Sequence, residues 1–448
     1  MKDCAHCSTI SRREALKRAA AWGVLAALAK SGEARTLSSD VTPRGSARAC
    51  IFVYMNGAPS HVDTFDVKDG PWNPPGIDIQ DHGHIALSGT LFPKLSGLTD
   101  DMCILRSVKS WEAAHERGAF YMQTAHSPNP AFAAETPHVG AVVSFEKQTT
   151  GAMPPFLSLN ENQLPVQGSA FLGGRAAPAA LPVEAAGLAS VEPNFYGAES
   201  RARFEQRYAL LDRLDAPFRG TTQDRTMLNH IEFYSMAKRM TFDESIAAVF
   251  RFSAEEDERY GATQFGRAAI VARNAVHANN GTIFTALNNG YWDTHARMWD
   301  RRYLPHNMYT LCSEFDAAIG SLVQDLKASG DFDRTLIVMM GEFGRTPGPL
   351  NVLSGRDHHR DAMSVVMMGG GVRGGLVIGA TDSIGNRIID PGWSRQRPIF
   401  TEDIAATVYS ALGIDWTRTI EHTPSGRAFE YVPGALQGRY VPVDEVFG

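Results

Sequence analysis

Ala49-Cys50-Ile51-Phe52-Val53-Tyr54-Met55, closed by Asn56-Gly57, is a short apolar run that ends in a turn dipeptide. Such a run, unbroken by polar residues, suits a strand buried on both faces. The sequence on either side supplies partners for it. Residues 102–105 read as a second strand, and 112–125 as a helix with apolar Ala119, Phe120 and Met122. Farther on, helix 264–278, strand 282–287, helix 309–329, strands 335–340 and 363–368, and helix 401–412 follow in turn. Strands alternating with helices imply a largely parallel sheet covered on both faces, a three-layer α/β/α sandwich whose ligands collect beyond the carboxyl ends of the strands. From 154 to 193 the chain is rich in Pro, Gly, Ala and Leu without steady periodicity, and 204–252 reads as mostly helical. Residues 150–260 are therefore expected to form a partly helical cap or insertion in one domain spanning 48–440.

The N-terminus carries a different message. Ser11-Arg12-Arg13-Glu14-Ala15-Leu16-Lys17 precedes a weakly apolar stretch from Ala19 to Ala29, with small residues around Ala27-Leu28-Ala29 and Ala34 at which cleavage can fall. This is the pattern of a twin-arginine signal over residues 1–34, followed by a polar linker, 35–47. The apolar stretch is too short to span a bilayer, which takes roughly 20 residues. The expectation is a periplasmic or extracellular protein whose export partner is the twin-arginine translocase. Removing the segment takes the formal charge from −6 to about −9. The mature chain is acidic, with no basic tract for nucleic acid and no second apolar run for a membrane span. Cys4 and Cys7 leave with the signal. Cys50, Cys103 and Cys312 allow at most one disulfide, so about 410 residues must rely on an apolar core.

Polar residues gather where that architecture places a site. After the first strand come Asn56, Ser60, His61, Asp63 and Asp66; after Leu287 come Asp293 and His295; after Met340 come Glu342 and Arg345; then come Arg356, Asp357, His358 and His359. Imidazoles and carboxylates ligate zinc, manganese or iron, and carboxylates with backbone oxygens suit calcium or magnesium. The candidate metal ligands are Asp293, His295, Glu342, His358, His61 and Asp63. Each also has a plainer reading: Asp293-Thr294-His295 as a hydrogen-bonded loop, Glu342 and Arg345 as a pair across a turn, and the segment from Arg356 to His359 as a solvated loop. The convergence of several loops beyond successive strands favours a site.

The segment 281–345 resembles the core of the alkaline phosphatase superfamily. The whole mature chain resembles an exported family, domain of unknown function 1501, related to sulfatases. The residues that carry this are Ser60-His61-Val62-Asp63-Thr64-Phe65-Asp66, Trp292-Asp293-Thr294-His295, Gly341-Glu342-Phe343-Gly344-Arg345-Thr346-Pro347, Gly355-Arg356-Asp357-His358 and Gly379-Ala380-Thr381-Asp382. The resemblance implies that Asp293, His295 and His358 serve one metal site. At the second site the superfamily has an aspartate-histidine pair, whereas this chain has Glu342-Phe343, and Phe343 cannot bind. Asn56 stands where a metal-binding aspartate is usual.

The superfamily places a nucleophile at a helix start after the second strand, which here makes Ser107 and Ser110 candidates, each with the alternative of a helix cap. The Cys-x-Pro-x-Arg pattern of sulfatases is missing from that region. His115 is open to reading as a ligand, a general acid or a structural helix histidine. Arg345, Arg356 or Arg106 can clamp phosphate or sulfate oxygens, or brace the carboxylates instead. The implied activity is metal-dependent hydrolysis of an anionic phosphate or sulfate ester, of a small molecule or a glycan. The alternative is a catalytically degenerate relative that keeps a metal for stability and acts as a binding or cell-surface protein. A mutase-like transferase fits export poorly, and no Gly-x-Ser-x-Gly elbow occurs.

Overall fold

Strand β1, Ala49–Met55, lies at the centre of the molecule with every residue buried. The computed structural model describes residues 36–37, 41–160, 167–184, 187–188, 197–219, 227–228, 231–232, 234–235, 238, 243–421 and 423–448. The signal segment with Cys4 and Cys7, and parts of the linker and of the expected cap, lie outside the described residues. The remaining strands of the main sheet are β2 (Met102–Val108), β3 (Phe156–Leu159), β4 (Ala179–Leu181), β5 (Phe284–Asn289), β6 (Thr335–Met340), β7 (Met363–Met368) and β8 (Leu376–Ile378). They form one eight-stranded sheet in the order β8-β2-β7-β6-β1-β5-β3-β4. β1 pairs in parallel with β5 and β6, Ile51 lying opposite Thr285 on one side and Ile337 on the other. β7 runs antiparallel to both β6 and β2, and the other pairings are parallel.

Alternation along β1 divides the core. Cys50, Phe52 and Tyr54 face one layer with helices α1 (His115–Thr124), α2 (Val139–Lys147) and α5 (Thr401–Ala411). Ala49, Ile51, Val53 and Met55 face the other, with α3 (Gln264–Ala278) and α4 (Met308–Ser329). The result is the three-layer α/β/α sandwich expected from the strand–helix alternation, with a mostly parallel sheet. Two strands fall where the sequence was read as cap. Phe156–Leu159 and Ala179–Leu181 extend the sheet beyond β5. Both are too short to show periodicity and are flanked by proline, which reads as loop. Helix is present in the region, at Gly197–Arg219 and Glu244–Val249. Cys50, Cys103 and Cys312 are free, buried thiols, so none is in a disulfide.

One buried contact ties α1 to α5. The Tyr121 hydroxyl donates to the Glu402 carboxyl, and both side chains are sealed from solvent. Burial pushes Glu402 from its ordinary 4.5 up to about 7. A carboxyl that holds its proton more tightly when folded costs stability as pH rises from about 4.5 to about 7, and the loss is complete above that window. A shift of this size corresponds to up to about 3 kcal/mol. The Glu402→Gln variant is therefore expected to show a flatter dependence of unfolding free energy on pH between 5 and 7 than wild type, measured by urea titration at each pH. A slope equal to that of wild type refutes the assignment.

Candidate metal centre

Four side chains from three separate elements converge at the carboxyl edge of the sheet. His115 opens α1, downstream of β2. Asp293 and His295 lie in the loop that leaves β5. His358 belongs to a short hairpin, Gly344–Arg345 against His358–His359, that connects β6 to β7. Because β7 runs antiparallel, the hairpin returns the chain to the same edge, which is how a residue preceding a strand joins residues that follow strands. One ligand atom from each of the four lies within 4.8 Å of all the others.

Hydrogen bonds fix which nitrogens face inward. His295 Nδ1 donates to Asp357 at 2.8 Å, and His358 Nδ1 donates to the Ala113 carbonyl at 2.7 Å. A carboxylate and a carbonyl only accept, so each ring keeps its proton on Nδ1 and presents the Nε2 lone pair. Those two Nε2 atoms stand 2.9 Å apart. Two acceptors cannot bond each other, and the arrangement calls for positive charge between them. Arg345 Nη1, 3.3 Å from His295 Nε2, offers one donor to that ring. His115 Nδ1 is 3.3 Å from Glu342 Oε1. Its Nε2 is 3.1 Å from Asp293 Oδ1, but out of line for a hydrogen bond, and this buried atom has no hydrogen-bond partner.

Electrostatics point the same way. Burial disfavours the Asp293 carboxylate, but His115, His358 and Arg345 together hold its pKa far below the usual range. Burial also lowers His115, yet the Asp293 and Glu342 carboxylates carry it up to about 9. The centre thus draws in a cation, either a proton on His115 or a metal. All six separations within the donor set lie within 4.8 Å, and four of them can be compared with a tetrahedral site. Ligands at 2.0–2.1 Å around a tetrahedral zinc sit roughly 3.3 Å from one another. The His295–His358, His295–Asp293, His115–Asp293 and His358–Asp293 separations are 2.9, 3.1, 3.1 and 3.6 Å.

The other residues singled out by sequence have different surroundings. Glu342 is buried just outside the four; its Oε1 accepts from Gly57 N at 3.0 Å and meets His115, so it orients a ligand, and it is not paired with Arg345. His61 turns away: Nε2 donates to the Gly385 carbonyl at 2.8 Å, Nδ1 accepts from Arg345 N at 3.4 Å, and burial lowers its pKa to about 4. Asp63 accepts from Arg356 at 2.6 and 3.2 Å and from Ser60 Oγ at 2.5 Å, which leaves it no room for a metal. The structure does not bring His61 or Asp63 into the centre.

Neither arginine is free to clamp an anion. Arg345 is fully buried: Nη2 reaches the Gly57 carbonyl and Asp293, Nε the Ala58 carbonyl and Nη1 the Arg356 carbonyl. Arg356, also fully buried, holds Asp63 and the carbonyls of Thr346 and Gly348. Both are braces, as is Arg106, bonded to the Phe65 carbonyl at 3.0 Å and paired with Asp66 at 3.3 Å. Ser107 donates to the Pro391 carbonyl at 2.7 Å, and Ser110 Oγ accepts from Glu112 N at 3.2 Å, the local contact of a turn or cap. Neither hydroxyl is part of the centre. Phe343 packs its ring against His115 and His358, with centroids 5.0 and 4.7 Å apart, and so closes one side of the centre with an apolar wall. Asp357 and the Ala113 carbonyl were not identified by sequence as partners of the imidazoles. The Gly355-Arg356-Asp357-His358 motif contained the first, and nothing in sequence marks a backbone carbonyl.

Two glycines let these loops touch. A Cβ on Gly355 would fall 2.1 Å from the His295 carbonyl carbon, and one on Gly57, whose φ is +102°, would fall 2.5 Å from Asp293 N. At Gly57 the strain of a left-handed side chain adds to a clash with backbone that cannot swing aside. Gly57→Ala is expected to displace Asp293 and lower metal affinity at least tenfold, measured by competition with a chelator; unchanged affinity refutes the packing argument.

The fold and the centre define an α/β protein with a candidate divalent-metal site at the carboxyl edge of a mostly parallel sheet. The chain belongs to the family described as protein of unknown function DUF1501, whose model matches residues 47–437. No curated protein matches it. Solved structures similar to it include the PsFucS1 sulfatase from Pseudoalteromonas sp., at 13% identity and a TM-score of 0.40, covering 89% of this chain and 71% of that one. The phosphonate monoester hydrolase of Agrobacterium radiobacter is similar at 10% identity and a TM-score of 0.39, covering 90% and 77%. The lipoteichoic acid synthase LtaP from Listeria monocytogenes is similar at 12% identity and a TM-score of 0.37, covering 90% and 79%. Likenesses at these TM-scores say nothing of the site, whose reading rests on its own side chains.

Proposed function

We propose that the protein is an exported, metal-dependent hydrolase of phosphate or sulfate esters, using the single centre formed by His115, Asp293, His295 and His358. The observation that carries this reading is the pair of Nε2 lone pairs facing each other at 2.9 Å while both Nδ1 protons are committed elsewhere. Three imidazoles and one carboxylate favour zinc, or another transition ion that accepts nitrogen, over calcium or magnesium, which take oxygen. A divalent cation there supplies Lewis-acid polarisation of an ester oxygen and lowers the pKa of water.

This chain's residues divide the remaining work. Asp357 and the Ala113 carbonyl hold the tautomers of His295 and His358, Glu342 orients His115, and Arg345 anchors Asp293. Phe343 excludes water from one side. With the Ser107 hydroxyl donated to the Pro391 carbonyl and Ser110 outside the four-residue cluster, the attacking group in this reading is water. The sequence pattern at Ser11-Arg12-Arg13 supports export by the twin-arginine route.

The buried, fully occupied arginines and the commitment of the Ser107 hydroxyl to the Pro391 carbonyl favour a second reading, a metal-stabilised binding protein. Purified mature protein, loaded with zinc or manganese, is assayed against aryl phosphates, phosphonates and sulfates. Turnover of any of these that disappears with a chelator and returns with the ion supports the hydrolase. Stoichiometric metal with no turnover of any of them supports the binding protein.

A further inference from the structure

Beside the metal centre, and built from the same strand ends, lies a cleft of about 220 Å³. That is smaller than the roughly 300–1,000 Å³ of sites for drug-sized ligands, and of a size for one small ring. Asn56 follows β1, Asn288 and Asn289 end β5, Asn160 follows β3, and Glu314 on α4 and Tyr291 complete the wall. The cleft and the centre share backbone: Asn56 N donates to the Asn289 carbonyl at 2.8 Å, and Trp292 N to the Asn56 carbonyl at 3.1 Å. One residue farther along each loop, Gly57 and Asp293 meet the metal centre.

The hydrogen-bonding capacity of this wall is only partly used. Asn160 is spent on the Gln264 carbonyl and Val183 N, and Asn289 Oδ1 accepts from Trp292 Nε1 at 2.6 Å. Among the described residues, the Asn56 amide, Asn289 Nδ2, Asn288 Oδ1 and the Glu314 carboxyl have no hydrogen-bond or ion-pair partner. All four residues line the cleft. Burial raises the pKa of Glu314, and no cation stands against it. At the rim Tyr291, half-exposed, has a φ of +74°, a strained conformation for a side chain of that bulk. Its ring is set edge-on to His306 at 5.2 Å.

Among the described residues no lysine or arginine lines the cleft, so this lining offers no cation to a phosphate or sulfate. Amide donors and acceptors side by side, one carboxyl acceptor and an aromatic rim suit adjacent hydroxyls on a ring with an apolar face. We infer that this cleft binds the uncharged, hydroxyl-rich sugar ring of a carbohydrate ester whose anionic group lies at the metal centre. The identification of that sugar as part of a substrate rests on the hydrolase reading above.

The test is titration of neutral methyl hexosides (gluco, galacto, manno and fuco) into wild type, Glu314→Ala, Asn288→Ala and His358→Ala, followed by ligand-observed NMR. One hexoside is expected to bind wild type and His358→Ala alike and to bind each cleft variant at least tenfold more weakly. Circular dichroism and metal content of the cleft variants should match wild type. The inference is overturned if no neutral hexoside binds wild type at millimolar concentration or if binding survives both cleft substitutions. Sugar binding by a wild type that holds no metal sinks the hydrolase reading alone. Bound metal without sugar binding sinks this inference alone.

Discussion

Replacing His358 by alanine is expected to abolish stoichiometric metal uptake while shifting the metal-free unfolding free energy by about 1 kcal/mol, the value of one hydrogen bond to the Ala113 carbonyl. The two effects separate because loss of His358, a ligand in the proposed centre, strands no buried charge. Asp293→Ala is expected to lose the metal too, but it also leaves the fully buried Arg345 guanidinium without its carboxylate; because the Asp293 side chain is 40% exposed, the cost falls below the about 3–5 kcal/mol of a fully buried pair. Elemental analysis gives the first number and urea titration the second. Added zinc should stabilise wild type in proportion to the logarithm of its concentration, by about 2.7 kcal/mol at a hundredfold excess over Kd, and should leave His358→Ala unmoved. A wild type that stays metal-free on reconstitution, or an alanine variant that keeps its metal, removes the centre.

How far the chain could be read without its structure varied with the kind of signal. β1, β6, β7 and α3 were legible to the residue, because a continuous apolar run or a regular helical period reports burial directly. β3 and β4 were not, since four and three residues carry no period. At the site, positions after strands marked six candidate ligands, and only the resemblance singled out Asp293, His295 and His358 as a group. His61 and Asp63 are of the same residue types in an equally suggestive loop, and only their partners separate them from the centre: Gly385 for one, Arg356 for the other. Composition announces that a histidine can ligate. The bond its second nitrogen makes decides whether it faces a metal.

The same distinction explains the arginines. A guanidinium near carboxylates reads as an anion clamp or as a brace, and the choice turns on how many donors remain. Arg345 spends its donors on three carbonyls and Asp293, with His295 within reach. The Phe343 ring lies against two of the four clustered side chains, His115 and His358. The cluster is thus braced from beneath by Arg345 and walled on one side by Phe343.

The largest effect on stability is expected at Asp63 and Arg356. Both side chains are buried almost completely, and the pair is joined through two nitrogens at 2.6 and 3.2 Å. Arg356 also bridges the carbonyls of Thr346 and Gly348 at 2.8 Å, while its own carbonyl accepts from Arg345. It therefore ties the loop after β1 to the hairpin that bears His358. Asp63→Ala leaves a guanidinium buried with half its donors empty, at a cost of about 3–5 kcal/mol. Arg356→Met fills similar volume without charge but strands the Asp63 carboxylate, and should cost a comparable amount. The double variant, Asp63→Ala with Arg356→Met, removes both charges, so it is expected to be more stable than either single variant by at least about 1 kcal/mol. Urea denaturation of the four proteins closes the cycle. If the two single losses simply add, the pair is not coupled and the bracing role assigned to Arg356 fails.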